Sequence, residues 1–171
     1  MSCRSIAELN QLDQADFVNL LGAIFEETPF VAQQAWAQRP FMTVADLHQK
    51  MVAVVEQMSP SQQLALIRAH PQLGAKTKMA EASVQEQAGA GLHRVSIADE
   101  ARIQELNQAY EKKFGFPFVM AVKGHTTDSI LKSFERRLEN EPAQEKARSL
   151  QEISAIARFR LDNLTADFPD R

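Results

Sequence analysis

The sequence predicts an all-α fold, a single-domain helical bundle with one extended, non-helical segment near residues 116–122. Three observations carry this prediction. Apolar residues recur at helical spacing through most of the chain, and capping residues or prolines bound those stretches. Only one run, residues 116–122, combines a proline with β-branched and aromatic residues. With 171 residues the chain is long enough for one domain with a real core, so we expect a single domain over residues 1–171.

Composition and charge favour a globular protein. Hydrophobic residues make up 44% of the sequence and charged residues 24%, with a net charge of -3, values that are ordinary for soluble domains. This balance argues against nucleic acid as a partner. The sequence shows no charged-then-apolar leader and no apolar run of membrane-spanning length, so we expect no membrane association and a cytoplasmic location.

The first part of the sequence contains four runs with helical periodicity. Ser5 precedes Glu8 by three residues, a pattern in which two side chains cap a helix start reciprocally. A second run begins at Asp13 and is stopped by Pro29, a short third run follows, and a fourth covers residues 43–58. The fourth run is expected to be a core helix. The apolar positions of the second, third and fourth runs are Phe17, Leu20, Leu21, Ile24, Phe25, Val31, Ala35, Trp36, Val44, Leu47, Met51, Val54, Val55 and Met58.

A fifth helix is expected to begin after Ser59, a capping residue followed by proline. It should end at His70, because Pro71 disfavours helical geometry in the residue before it. Residues 71–82 then form a connection longer than the joining of two helices requires, and long loops often carry function. The stretch 83–92 should be helical at its start.

The rest of the sequence contains three more helical runs and one exception. Ser96 caps a long helix that ends at Gly115, and further helices are expected at residues 128–138 and from Pro142 onward. Residues 116–122 have the composition of an extended chain. No second run of this kind exists to act as a strand partner, so its backbone groups must be satisfied in another way, in part by a ligand. Counting runs gives about seven or eight helices.

Among the four histidines, His70 is the strongest candidate for acid/base chemistry. It lies in the last turn of its helix, where the negative end of the helix dipole favours the imidazolium form. His48 lies within a helix, and His93 and His125 lie near glycines with no acid nearby. The alternative is that the His70 side chain only caps carbonyl groups at the helix end.

Ser83 and Glu86 form a Ser-x-x-Glu pattern at a predicted helix start. On the pattern alone, a capping box is the simpler interpretation, because it explains both residues. The functional interpretation is that free backbone N–H groups at this helix start, with the side chains of Ser83, Glu86 and Gln87, bind a polar ligand.

Arg160 lies on the apolar face of the last helix, since it follows Ile156 by four residues and precedes Leu164 by four. By the same count, Arg158 points outward. An inward guanidinium needs a partner, and either a structural carboxylate or a substrate anion would provide one.

Motifs for metal, nucleotide or flavin binding do not occur in the sequence. It contains no CxxC, HExxH, P-loop or GxSxG pattern, and no GxGxxG followed by an acidic ribose ligand. We therefore expect no cofactor.

Six segments, taken together, are highly specific for one protein family. They are residues 6–10, 25–29, 70–74, 83–87, 114–118 and 156–161. Through them the sequence resembles the OHCU decarboxylases, which remove CO2 from 2-oxo-4-hydroxy-4-carboxy-5-ureidoimidazoline (OHCU) in the route from urate to allantoin. The resemblance covers nearly the whole chain.

The resemblance implies a cofactor-free, all-helical carboxy-lyase, usually a homodimer, that converts the small molecule OHCU to (S)-allantoin. It implies catalytic roles for His70 and Glu86. The substrate-binding positions that it implies are Pro71, Ser83, Val84, Gln85, Glu86, Gln87, Phe118, Val119, Met120, Ala121, Val122 and Arg160.

The implied chemistry needs no external electron sink. The carboxylate can leave as CO2 if its electrons are accommodated in the adjacent ring C=N system, after which a proton is delivered to one face. Positioning the carboxylate, polarising the hydroxyl and supplying the proton are tasks for Arg160, Glu86 with Gln87, and His70. Two alternatives stay open: another lyase or hydrolase acting on a ureido or hydantoin-like compound, and a helical interaction module whose polar residues only cap helices.

Overall fold

The computed structural model describes residues 3–74, 87–89, 91–92 and 95–165. Eight helices lie wholly within these residues, which contain no β-sheet, so the predicted all-α class is confirmed. Residues 87–89 are also helical, and residues 116–122 lie outside any helix, as expected. The helices are α1 (Ile6–Gln11), α2 (Gln14–Leu21), α3 (Phe30–Trp36), α4 (Val44–Gln57), α5 (Pro60–Ala69), α6 (Ile97–Phe114), α7 (Thr127–Leu138) and α8 (Pro142–Leu164).

These elements belong to two compact units. The first comprises residues up to Leu66 together with those from Ser154 onward, and the second comprises Ile67–Ile153. The boundaries fall within α5 and α8, so each of these helices contributes residues to both units. One domain over residues 1–171 stays a prediction. None of the described helices combines the length and apolar character needed to cross a membrane.

Side-chain caps are present at the starts of α1, α2 and α4. Ser5 and Glu8 form the expected capping box, and Asp13 and Thr43 accept backbone N–H groups at the starts of α2 and α4. Helix α3 packs against both α2 and α4. The core between them is apolar and includes Phe17, Leu21, Val31, Ala35, Phe41, Leu47 and Met51.

Helix α2 ends at Leu21, well before Pro29, so the prediction of a helical run through Ile24 and Phe25 is wrong. After Gly22 the hydrogen bonds no longer follow the α-helical pattern, because the Ile24 N–H donates to the Leu21 carbonyl, three residues back, at 3.1 Å. Gly22 makes the last α-helical hydrogen bond, with its nitrogen 2.7 Å from the Val18 carbonyl oxygen. A side chain at this position would bring its Cβ within 2.5 Å of the same oxygen. The chain turns there, and Ile24 and Phe25 are nevertheless buried at 3% and 2% exposure.

The first and last described residues of this unit meet. The Arg4 N–H donates to the Leu164 carbonyl at 3.0 Å, and Arg4 forms an isolated parallel bridge with Thr165. The Thr165 hydroxyl donates to the Leu161 carbonyl one turn earlier in α8. The beginning and the end of the described chain are thereby tied by backbone pairing.

In the second unit, α6 packs against α7, and aromatic rings fill the space around them. Helix α6 ends at Gly115, whose φ of 76° is the left-handed geometry that glycine adopts at helix ends. The Tyr110 ring contacts those of Phe118 and Phe134, which stack on each other with centroids 3.8 Å apart. This aromatic cluster anchors the start of the extended segment.

Candidate active site

His70 lies at the point where α5 ends. The helix ends at Ala69, and the His70 N–H still donates to the Ile67 carbonyl at 3.2 Å. The residue is only 6% exposed, which places a titratable ring among the few buried polar groups of the described chain. Pro71 follows it and is partly exposed.

A polar cavity of about 380 Å³ adjoins His70. Its polar lining side chains are a guanidinium, an imidazole, a carboxamide and a carboxylate, and all lining residues belong to the second unit. The lining residues are Arg68, His70, Gln72, Glu111, Gly115, Phe116 and Pro117. Sites for small molecules typically measure about 300–1,000 Å³. Neither here nor elsewhere in the described ranges do three or more His, Cys, Asp or Glu side chains form a group that could hold a metal ion.

The loop that follows His70 is fixed by two amide side chains. The Gly74 N–H donates to Gln87 Oε1 at 2.9 Å, and Asn107 Nδ2 donates to the Leu73 carbonyl at 2.9 Å. Gln87 is 8% exposed. The predicted site residues Ser83, Val84, Gln85 and Glu86 lie outside the described residues, so their roles stay predictions.

Charged side chains hold the backbone of the extended segment. Arg137 Nη1, from α7, donates to the Val119 carbonyl at 2.7 Å. The Ala121 N–H donates to Glu152 Oε2, from α8, at 2.9 Å. The sequence did not indicate which groups form hydrogen bonds with the backbone of this segment. Within the second unit, the side chains of Arg137 and Glu152 provide two of these hydrogen bonds. Phe118, Val119, Met120 and Val122 are buried, and Ala121 is partly exposed.

Arg137 is buried against a carboxylate. The residue is 4% exposed and its partner Glu145 is fully buried, with Nη2 and Oε1 2.5 Å apart. The Tyr110 hydroxyl donates to the same oxygen at 2.5 Å, and Asn140 donates to the other at 3.0 Å. Burial and the hydrogen bond to Glu145 raise the pKa of Tyr110, which keeps the phenol protonated as a donor. A buried ion pair persists when its remaining polar atoms are satisfied in this way.

Arg160 belongs to the first unit and is 6% exposed, which agrees with its predicted position on the apolar face of the last helix. Its Nη1 donates to Glu26 Oε2 at 2.9 Å and to the carbonyl oxygens of residues 23–24 at 3.3 and 3.5 Å. Arg158 instead pairs with Asp162 on the surface. Of the two partners left open by the sequence, the structure therefore contains the carboxylate, and binding of a substrate anion stays a prediction.

Three contact residues were not predicted from the sequence: Glu26, Arg137 and Glu152. An inward arginine required a carboxylate, but nothing in the spacing indicated which of 22 acidic residues would supply it. Arg137 and Glu152 contact backbone 18 and 31 residues away, which no local pattern encodes.

Comparisons with known proteins agree on one family. The sequence model of the OHCU decarboxylase family matches residues 10–162. A protein of Halalkalicoccus jeotgali named 2-oxo-4-hydroxy-4-carboxy-5-ureidoimidazoline decarboxylase is 41% identical, over 96% of this chain and 94% of its own. A Bos taurus protein of the same name is 33% identical, over 96% of this chain and 99% of its own.

Solved structures share the fold. An (S)-allantoin synthase matches with a TM-score of 0.77 and 27% identity over 95% of this chain, which spans 54% of that longer chain. An OHCU decarboxylase crystallised in the presence of (S)-allantoin matches with a TM-score of 0.70 and 24% identity, over 91% of this chain and 100% of its own, a likeness that shows the fold alone. The family match spans most of the sequence, and the chain therefore belongs to the OHCU decarboxylase family.

Proposed function

We propose that this chain decarboxylates OHCU to (S)-allantoin in urate degradation. The observation that carries the proposal is the buried His70 beside a polar cavity, in a chain that belongs to the OHCU decarboxylase family. Relatives at 41% and 33% identity carry the name of this activity. A buried imidazole at a cavity of small-molecule size favours an enzyme over a helical interaction module.

The reaction breaks the bond between the substrate's carboxylate and the carbon that also bears a hydroxyl. Carbon dioxide leaves, and the electron pair passes into the adjacent C=N system of the ring. A proton must then be added to one face of the resulting planar intermediate. The protein's tasks are to hold the carboxylate, polarise the hydroxyl and deliver the proton.

His70 is the proposed proton donor. Its position directly before Pro71 is fixed by the end of α5, and the Gly74 and Leu73 backbone that follows is held by amide side chains. A fixed imidazole at a cavity can act as a general acid, a role that typically contributes about a hundredfold to ten-thousandfold in rate.

The remaining proposed contacts follow the family resemblance. Arg160 would bind the substrate carboxylate through its planar guanidinium, whose orientation is fixed by the pairing of Nη1 with Glu26. Glu86 with Gln87 would polarise the hydroxyl. The other proposed contacts are Pro71, Ser83, Val84, Gln85 and the backbone of residues 118–122.

The proposal extends to the state of the enzyme. We infer a single-domain, cofactor-free homodimer in the cytoplasm, which rests on the family resemblance. Size-exclusion chromatography with light scattering tests the dimer directly, and a monomeric mass with full activity would contradict it.

The deciding experiment adds the protein to freshly generated OHCU and follows its decay by circular dichroism. Uncatalysed decay gives racemic allantoin, because water can protonate either face, whereas an enclosed donor protonates one. A hundredfold preference requires a barrier difference of only about 2.7 kcal/mol. We expect faster decay with a growing signal of one sign. Unaccelerated decay would refute the activity, and accelerated decay without optical activity would remove His70 from the role of final donor.

A further inference from the structure

Two side chains bind alternate residues of the extended segment. Val119 offers its carbonyl to Arg137 at 2.7 Å, and Ala121 offers its N–H to Glu152 at 2.9 Å. In an extended chain, the N–H and C=O groups of alternate residues point to the same side. Residues 119 and 121 therefore share one edge of the segment, and that edge is held by the protein.

Met120 lies between them, and in an extended chain its backbone groups point to the opposite edge. Within the part of the chain that the structure describes, neither its N–H nor its C=O has a hydrogen bond, although the residue is 8% exposed. Backbone groups buried to this degree are rarely left unpaired. A neighbouring donor and acceptor match the C=O and N–H of a ureido or cyclic amide group.

Both holding side chains are themselves anchored. Arg137 is fixed by Glu145 through Nε at 2.6 Å, and its guanidinium lies 4.3 Å from the ring centroid of Phe118. The two carboxylate oxygens of Glu152 have different partners. Oε1 accepts a hydrogen bond from Arg148 Nη2 at 2.7 Å, and Oε2 accepts one from the Ala121 N–H. The held edge is thereby tied to α7 and α8.

We propose that Glu152 and Arg137 are positioning residues, which fix one edge of the extended segment so that the edge at Met120 binds the substrate's ureido or amide groups. The inference rests on the proposed function, since it assigns this edge to OHCU. Neither residue is proposed to touch the reacting atoms. Their effect is geometric, and a misplacement of about 1 Å can cost about a hundredfold in rate.

The test uses four variants at two positions. Glu152→Ala removes the acceptor, and Glu152→Asp keeps the charge but withdraws the oxygen from Ala121. Glu152→Gln keeps an oxygen at the same reach without the charge. Arg148→Ala breaks only the ion pair on the other oxygen, where the arginine side chain is 51% exposed.

Initial rates over a range of OHCU concentrations should separate these variants. We expect Glu152→Ala and Glu152→Asp to lower kcat/KM by about tenfold to a hundredfold, mainly through a higher KM. Glu152→Gln should restore kcat/KM to within about threefold of the wild type, because its oxygen can accept the same hydrogen bond. Arg148→Ala should change it by less than about twofold. A role confined to folding would instead lower the melting temperature and leave KM unchanged.

Amide hydrogen exchange provides a readout that does not depend on turnover. The Ala121 amide should exchange faster in Glu152→Ala and Glu152→Asp than in Glu152→Gln, while amides within α6 keep their rates. Unchanged exchange at Ala121 would overturn the inference. Two kinetic results would also overturn it. One is a KM of Glu152→Asp equal to that of the active wild type, and the other is an equal decrease of kcat/KM in Glu152→Gln and Glu152→Asp. A wild type that does not turn over OHCU would instead overturn the proposed function, and the inference with it.

Discussion

Replacing Arg160 by lysine keeps the positive charge but removes the planar guanidinium. Arg160 is 6% exposed and its partner Glu26 is 4% exposed, so the ion pair is shielded from water. One nitrogen serves the carboxylate at 2.9 Å and two carbonyl oxygens at 3.3 and 3.5 Å. A lysine ammonium is a point donor that cannot reproduce this arrangement and a two-pronged hydrogen bond to a substrate carboxylate together.

The expected magnitude follows from the hydrogen bonds that a lysine cannot make. A hydrogen bond to a charged group contributes about 1.5–3 kcal/mol. With about 1.4 kcal/mol for each tenfold change, removing one such hydrogen bond to the substrate should lower kcat/KM by about tenfold to a hundredfold. Arg158→Lys is the matched control, because its pairing with Asp162 lies at 41% and 43% side-chain exposure. An exposed pair of this spacing contributes only about 0.3–0.5 kcal/mol.

The assay measures kcat and KM for OHCU in the wild type and both variants, with urea unfolding of each in parallel. We expect a large decrease of kcat/KM for Arg160→Lys alone, beyond what its unfolding midpoint explains. Equal and small kinetic effects at the two positions would refute the reasoning. A lowered midpoint with unchanged kinetics would assign Arg160 a structural role with Glu26 only.

Three further predictions concern the donor, the cofactor and the buried pair. His70→Ala should stay folded by circular dichroism and lose about a hundredfold to ten-thousandfold in rate, and turnover equal to the wild type would remove the assignment. Activity should survive chelators and extensive dialysis, whereas a loss that one metal restores would contradict the cofactor-free mechanism. Glu145→Gln leaves the Arg137 charge buried without a counter-charge and should cost about 3–5 kcal/mol of unfolding free energy in urea, against less than about 0.5 kcal/mol for Asp162→Asn.

Helix starts were predictable from the sequence because their signals are local. The predicted capping box at Ser5 and the predicted helix start at Ser96 are confirmed, and at both positions the side chain accepts an N–H from three residues later. The left-handed end of α6 at Gly115 is equally local. The extended segment was predicted for the same reason, since its composition departs from helical periodicity within a few residues.

The hydrogen-bonding partner of a side chain was much harder to predict than the helix face on which the side chain lies. Periodicity placed Arg160 inward but could not identify Glu26, because a continuous α2 was expected where the chain in fact turns at Gly22. The change in hydrogen bonding after Gly22, where Ile24 donates to Leu21 three residues back, is backbone geometry that apolar spacing does not encode. Contacts such as that of Glu152 with Ala121 join distant positions and need the fold before they can be seen.

The pairing of Arg4 with Leu164 and Thr165 places the beginning and the end of the described chain side by side. A segment with neighbouring ends can be carried in a surface loop of a host protein, because the host needs only two closely spaced junctions. The same proximity allows a short linker to join residues 3 and 165 while the chain is opened at an exposed turn elsewhere. The order in which the helices are synthesised is thus separable from the arrangement in which they pack.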